Sequence, residues 1–381
     1  MRHESTARVN AGGRSPIHAG LSIGHVAGNV PKVASMDGND RDPSGGRANM
    51  REVAARAGVA MSSVSRVLSG HPDVSPKMRD VVNAAVNELG YRPDMLARGL
   101  RLRKTLSIGF TVSDIANPVL ASAVTGAEWR LRRAGYSLLL TNSEGDAELD
   151  ADNIRLLQQR RVDGLILSLA DENHALTVEV LRRAEAPFVL LDRDVPAGMT
   201  ASRVCFDHRA GMFQATRHLL QLGHREIALI SGGPQGPARE RRAGIDDALA
   251  GIGGEGRCVV YDGEFSVDHG ERATHRIIDG SAPVTAIIAG GNLLMQGALR
   301  ALRDRGTQVG ADMSFVGCDN VAVAELHTPQ IAVVRRDMVS IGEAAADLLL
   351  ELLNGFKGTK EVRLPTEFVA RPSCAAPRVR S

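Results

Sequence analysis

The chain has 381 residues, 43% of them hydrophobic, 24% charged and only 3% aromatic, with a net charge of +2. That is an ordinary globular composition with aliphatic cores, long enough for two or three domains, and its apolar runs fall short of a membrane span. Four scattered cysteines (Cys205, Cys258, Cys318, Cys374) with no CxxC spacing exclude a disulfide framework or a thiolate metal site, and suit a reduced, cytoplasmic setting.

The small net charge hides an asymmetry. Residues 49–105 carry ten Lys/Arg against five Asp/Glu, whereas residues 106–381 carry thirty against thirty-five. A basic segment on a mildly acidic body points to a polyanion-binding head attached to a separate regulatory or catalytic domain. Residues 1–48 hold eight Gly and no Phe, Trp or Tyr. They are expected to be a disordered tail, with Met36 as an alternative start and no export signal.

Two short helices follow, over 50–57 and 61–68, with Asn49 placed to cap the first. Between them, Gly58 is expected at positive φ, Ala54 allows a close crossing and Val64 plugs it. A third helix is bounded by Ser75-Pro76 and Gly90, with Met78, Val81, Val82, Ala85 and Leu89 as its apolar stripe. The run VAARAGVAMSSVSRVL thus reads as a helix-turn-helix, whose second helix is slim enough to approach base edges in the major groove. Residues 92–105 (RPDMLARGLRLRKT) are basic and only marginally helical, a hinge helix or a flexible linker.

From residue 106 strand-like apolar runs alternate with amphipathic helices. LSIGFTV, YSLLLTN, GLILSL, FVLLD, EIALISG, TAIIAG, SFVGCD and QIAVV read as strands. The helices fall near 118–134, 147–160, 175–184, 209–222, 238–250, 268–279, 293–305, 322–326 and 338–354. Repeated βα units mean parallel sheets covered on both faces. About ten strands exceed one small sheet, so two lobes are expected over 106–372, with a tail over 373–381.

The head run, together with DIANP (114–118), RRVDGLIL (160–167), VLLDR (189–193), ATRHLLQLGHREIALISG (215–232), ARERRAG (238–244) and SFVGCD (314–319), resembles the LacI/GalR (lactose-repressor) family of transcriptional regulators across nearly all of 49–372. The resemblance implies a homodimer, or a tetramer, of chains in which the DNA-binding head joins a two-lobed body like periplasmic sugar-binding proteins. It implies that Met61 and Ser62 read bases, and that Ser63, Ser65 and Arg66 contact bases or backbone. It further implies that Leu100, with Ala97 and Arg98 beside it, enters the minor groove from a hinge helix that folds on DNA. The chain departs from the family at Ala60, where Ser is usual, and at Ser63, where Thr is usual.

Ligands of parallel α/β sheets bind beyond the carboxyl ends of strands. Asn117, Asp192 and Asp319 stand at such ends, and Arg239 and Arg241 open a helix; each is either cleft-lining or a capping residue. The resemblance places Asn117 in the cleft and gives Arg241 the role of holding sugar hydroxyls. Where the family carries Asn-Asp, this chain has Gly291-Asn292, and Phe265 offers an aromatic face. A sugar or related metabolite is therefore expected as effector, with a small organic acid paired to Arg239 or Arg241 as the alternative. The expected function is a ligand-controlled repressor of operator DNA; a periplasmic-type solute-binding protein would leave residues 50–104 unexplained. No nucleophile elbow, Walker loop, dinucleotide fingerprint or metalloprotease motif points to an enzyme, and no cofactor or metal is expected.

Overall fold

The structure, a computed structural model, describes residues 48–68, 71–91, 104–251, 253 and 255–378. All but the last residue of the expected tail over 1–48, and the expected hinge contacts Ala97, Arg98 and Leu100, lie outside the described residues. The chain divides into two units, Met1–Arg92 and Pro93–Ser381.

In the first unit, α1 (Met50–Ala57), α2 (Met61–Leu68) and α3 (Pro76–Glu88) surround a small aliphatic core of Val53, Ala54, Val64, Val67, Val74, Val82 and Ala85. Asn49 begins α1 with a capping box. Its Oδ1 accepts from Arg51 N (2.9 Å) and Glu52 N (3.1 Å), and Glu52 accepts from Asn49 N (3.1 Å). Gly58 ends α1 at φ +63°, and Val59 N–H donates back to Ala54 C=O (3.0 Å), which turns the chain into α2. Ser75 caps α3 through Met78 N (3.3 Å), and Pro76 takes the first turn.

The second unit holds two six-stranded sheets of matching order. Its first lobe runs β1 (Ser107–Val112), α4 (Pro118–Arg133), β2 (Ser137–Asn142), α5 (Ala147–Gln159), β3 (Gly164–Ser168), α6 (Ala175–Arg182), β4 (Phe188–Leu191) and β5 (Ser202–Phe206). The chain then crosses to α7 (His208–Gln221), β6 (Glu226–Gly232), α8 (Gly236–Ala250), β7 (Arg257–Gly263), α9 (Val267–Asp279), β8 (Ala286–Ala289), α10 (Asn292–Asp304), β9 (Ser314–Cys318), α11 (Ala322–Leu326) and β10 (Ala332–Arg335). It returns for α12 (Met338–Leu353) and β11 (Glu361–Leu364), and crosses again to β12 (Glu367–Val369). The sheets read β11-β5-β4-β3-β1-β2 and β12-β10-β9-β8-β6-β7, all parallel except β12 against β10. Each sheet buries both faces under helices, as its near-continuous apolar strands require.

Apart from the hinge segment over 92–105, most of which lies outside the described residues, the expected helices form, and so do the eight expected strands. β5, β7, β11 and β12 were not expected; β7, β11 and β12 are edge strands that carry polar residues, and β5, one strand in from an edge, opens on Ser202 and Arg203. The expected tail at 373 is a correction. Ser373 is fully buried, donates to Phe315 C=O (2.7 Å) and accepts from Ala332 N (2.7 Å). His224 Nε2 and Ser314 Oγ both reach Ala375 C=O (2.9 and 3.0 Å), so the segment is part of the second lobe.

Helices α4 and α12 cross closely, and the crossing is made of backbone. A Cβ added at Gly342 would lie 1.9 Å from Ala123 C=O. Gly342→Ala is expected to force the helices apart and destabilise the body by about 1–3 kcal/mol. A urea-unfolding midpoint unchanged from the parent would show that the crossing is looser than this.

Candidate DNA interface and effector cleft

Helix α2 sorts its residues by face. Val64 and Val67 are buried, Met61 (46% exposed), Ser62 and Arg66 are exposed, and Ser63 and Ser65 are half-buried on the flanks. Because 61 and 65, and 62 and 66, are four apart, they form two adjacent rows on the outer side. The candidate base-contacting residues therefore share one surface, with Ser63 at its margin. Ala60 C=O starts the helix by accepting from Val64 N (3.2 Å), but Ala60 has no side-chain oxygen to cap it. The Arg66 guanidinium lies beside His71 Nδ1 (3.4 Å) and Asp73 Oδ2 (3.6 Å) on the chain that follows.

In the second unit, Asp192 ends β4 and Asp319 ends β9, the equivalent strand of the other sheet. Both adopt left-handed backbone, φ +52° and +72°, which Asp tolerates better than most side chains. Each backbone N–H donates to the neighbouring strand, Asp192 to Val204 C=O (2.8 Å) and Asp319 to Val334 C=O (2.9 Å). The two carboxylates converge on Arg336, whose Nη1 donates to Asp192 Oδ2 (2.9 Å), while Nε and Nη2 both donate to Asp319 Oδ1 (2.7 Å). All three side chains are under 10% exposed.

His208 completes the cluster. Its Nε2 donates to Asp192 Oδ1 (2.9 Å), because an ionised carboxylate can only accept. Burial pushes the His208 pKa down to about 4 against the pull of Asp192, so the imidazole is neutral. Burial alone would raise the Asp192 pKa; the His208 contact, Arg336 and Arg241 override it and hold the carboxylate well below its usual range. Arg241 is buried and donates from Nη1 to Gly290 C=O (2.8 Å). Asp319 Oδ2 is buried with no hydrogen-bond partner among the described residues.

A second pair spans the lobes. Asn117, which caps α4, and Asn292, the first residue of α10, exchange side-chain hydrogen bonds of 2.9 and 3.4 Å. Arg239 stands half-exposed at the rim, paired with Asp194 from the other lobe. Phe265 lies over Gly232 and Gly291, where a Cβ at residue 291 would come within 2.1 Å of its ring. The glycine at the family's Asn position thus makes room for an aromatic face. A cavity of about 30 Å³ beside Asp192, His208 and Gly236 has room for a water or two. The structure therefore brings Asp192 and Asp319 together on Arg336, with the buried Arg241 near them, sets Asn117 against Asn292 across the lobes, and leaves Arg239 paired with Asp194 and Phe265 over Gly291.

Sequence reasoning missed Arg336, His208, Glu172 and Asp194. Arg336 carried the signal, because it follows an apolar strand run just as Asp192 and Asp319 do. His208 was hidden because β5 was itself unread. Burial raises the pKa of all four cysteines to about 11, which leaves the thiols unreactive.

A three-helix head with a slim exposed second helix, on a two-lobed α/β body with a polar interlobe cleft, defines a ligand-responsive DNA-binding protein. The sequence profile of bacterial regulatory proteins of the lacI family matches residues 49–94, and that of a periplasmic binding protein-like domain matches residues 216–374. The ribose operon repressor of Escherichia coli is 33% identical over 308 residues, covering 80% of this chain and 92% of that protein. The HTH-type transcriptional repressor PurR of Vibrio atlanticus is 30% identical over 318 residues, covering 83% and 95%. The lac repressor dimer bound to operator and the anti-inducer ONPF superposes with a TM-score of 0.75 at 28% identity, covering 87% of this chain and all of that one. A CelR–cellobiose complex gives a TM-score of 0.65 at 31% identity, covering 86% and 100%.

The chain belongs to the lacI family of bacterial regulatory proteins. It is a DNA-binding transcriptional repressor under the control of a small-molecule effector. Among the described residues, no helix is long and apolar enough to cross a membrane.

Arg66→Ala is expected to weaken operator binding by about 1–3 kcal/mol, the value of one good base contact. Fluorescence anisotropy on a duplex selected from a random pool measures this, and parental affinity in the variant would remove Arg66 from the interface.

Proposed function

We propose that the cleft between the lobes is the effector site of a cytoplasmic, homodimeric repressor. The observation that carries this reading is Asp319 Oδ2, a buried carboxylate oxygen with no donor at the end of a strand in the interlobe cleft. Such an atom is costly to bury unless something donates to it, and a ligand hydroxyl supplies that donor. Arg241, Asn117, Asn292 and the Phe265 face complete a site for a small polyhydroxy metabolite. A small organic acid is a second reading, favoured by Arg241, a buried guanidinium that donates to a neutral carbonyl.

Met61, Ser62, Ser63, Ser65 and Arg66 read the operator in this proposal, with Ala97, Arg98 and Leu100 adding minor-groove contacts. Apolar surface at Leu139, Leu140, Leu149, Leu156 and Leu326 (82% exposed) supports association with a second copy. The ribose operon repressor and PurR relatives are repressors by name, which supports a regulatory reading.

The chain is expected to bind a roughly palindromic duplex, with affinity falling linearly in a logarithmic plot against salt. Asp319→Ala is expected to keep operator binding and lose the effector response, measured by gel shift with each metabolite found in a thermal-shift screen. A variant that still responds at the parental concentration would remove Asp319 from the site.

A further inference from the structure

Each lobe carries one of the two cleft aspartates, and each is aimed at the same point by left-handed backbone. What occupies that point is a side chain of the protein itself. Arg336 follows β10 in the crossover to α12, and its planar fork reaches Asp192 of the first lobe and Asp319 of the second with three donors. Its guanidinium sits 5.3 Å from the Phe206 ring centre. We propose that Arg336 is a tethered internal ligand of the cleft, which closes the two lobes on each other when no effector is bound. This rests on reading the cleft as the effector site.

Charge decides the matter. In the closed cleft two buried carboxylates face each other, and removing the cation between them leaves Asp319 without its ion pair and Asp192 with only His208 and the more distant Arg241 to hold its charge. Arg241 shares the cleft but is hydrogen-bonded to neither aspartate. Other contacts also join the lobes. Arg239 pairs with Asp194 at the rim, Gly236 N–H donates to the buried Glu172 Oε1 (3.2 Å), Gln235 Nε2 donates to Ala170 C=O (3.0 Å), and Asn117 pairs with Asn292. The Gly236 amide provides a backbone reporter of closure.

The consequence for regulation is specific. The closed state exists before ligand arrives, so an effector acts only through its different affinity for the two arrangements. To enter between Asp192 and Asp319 it must supply hydrogen-bond donors in place of the guanidinium. Hydroxyl, ammonium or amidine groups qualify, and a bare anion does not.

Hydrogen exchange on the full chain, without DNA or metabolite, tests this. In Arg336→Ala the Gly236 amide is expected to exchange faster by on the order of tenfold, the effect of losing a charge-assisted bond, while the core strand amide of Ile166 is unchanged. Millimolar guanidinium ion is expected to restore protection at Gly236, and the same concentration of urea, its neutral isostere, is not. If Ile166 also exchanges fast, the alanine variant has lost its fold, and Arg336→Lys decides. Lysine keeps the charge but not the fork, and should speed Gly236 exchange with Ile166 unchanged. Parental exchange at Gly236 in the folded variant, or equal rescue by guanidinium and urea, would overturn the proposal. Neither outcome bears on whether Asp319 mediates an effector response.

Discussion

Two carboxylates from different sheets share one guanidinium, and the architecture of the body follows from keeping the three together. Asp192 and Asp319 occupy equivalent strand ends in two sheets of matching order. Arg336 lies on one of three crossovers between the lobes, and His208 follows directly on another. The third crossover is tied to the first by Thr366 Oγ1 donating to Asp207 C=O (2.7 Å). Buried charges of this kind add little net stability compared with apolar packing, but they are strongly directional. Lobe packing comes from the aliphatic clusters; the ion bridge specifies which arrangement of the lobes those clusters serve.

The head obeys a different constraint. Its core is seven small aliphatic residues, so its helices are held as much by capping as by burial: the Asn49–Glu52 box, the left-handed Gly58 and the Ser75-Pro76 start. This economy leaves the outer face of α2 free of bulk. Small hydroxyls and the Arg66 guanidinium then stand on its outer side and flanks, and the price of that slimness is an Ala60 start without a side-chain cap.

Much of this was legible in the sequence because local signals and global fold agree. Gly58, Asn49, Ser75 and Gly90 announce their turns, and strands buried on both faces announce themselves as unbroken apolar runs. The short strands SRVCF, RCVVYDG, EVRL and EFV were silent, since an edge or near-edge strand can carry Arg, Glu or Asp on its open side. The cleft was half legible. Asp192 and Asp319 were singled out by the strand-end rule, but Arg336, which follows the QIAVV run in the same way, was passed over, because an arginine after a strand is as readily solvated as bridging. The Gly291 departure was visible, whereas its cause was not: the Phe265 ring that fills the space comes from a loop 26 residues earlier.

The central claim is that the state of the cleft sets the grip of the head on DNA. Operator affinity, measured by fluorescence anisotropy at fixed salt for Arg336→Ala, Asp319→Asn and the double variant, tests it directly. None of these residues belongs to the head, so an isolated head would be indifferent to them. The account predicts that Arg336→Ala shifts operator affinity by about fivefold or more, the lower end of ordinary allosteric coupling. It also predicts that the two substitutions are non-additive, because they act on one bridge. Parental operator affinity in all three folded variants would contradict it.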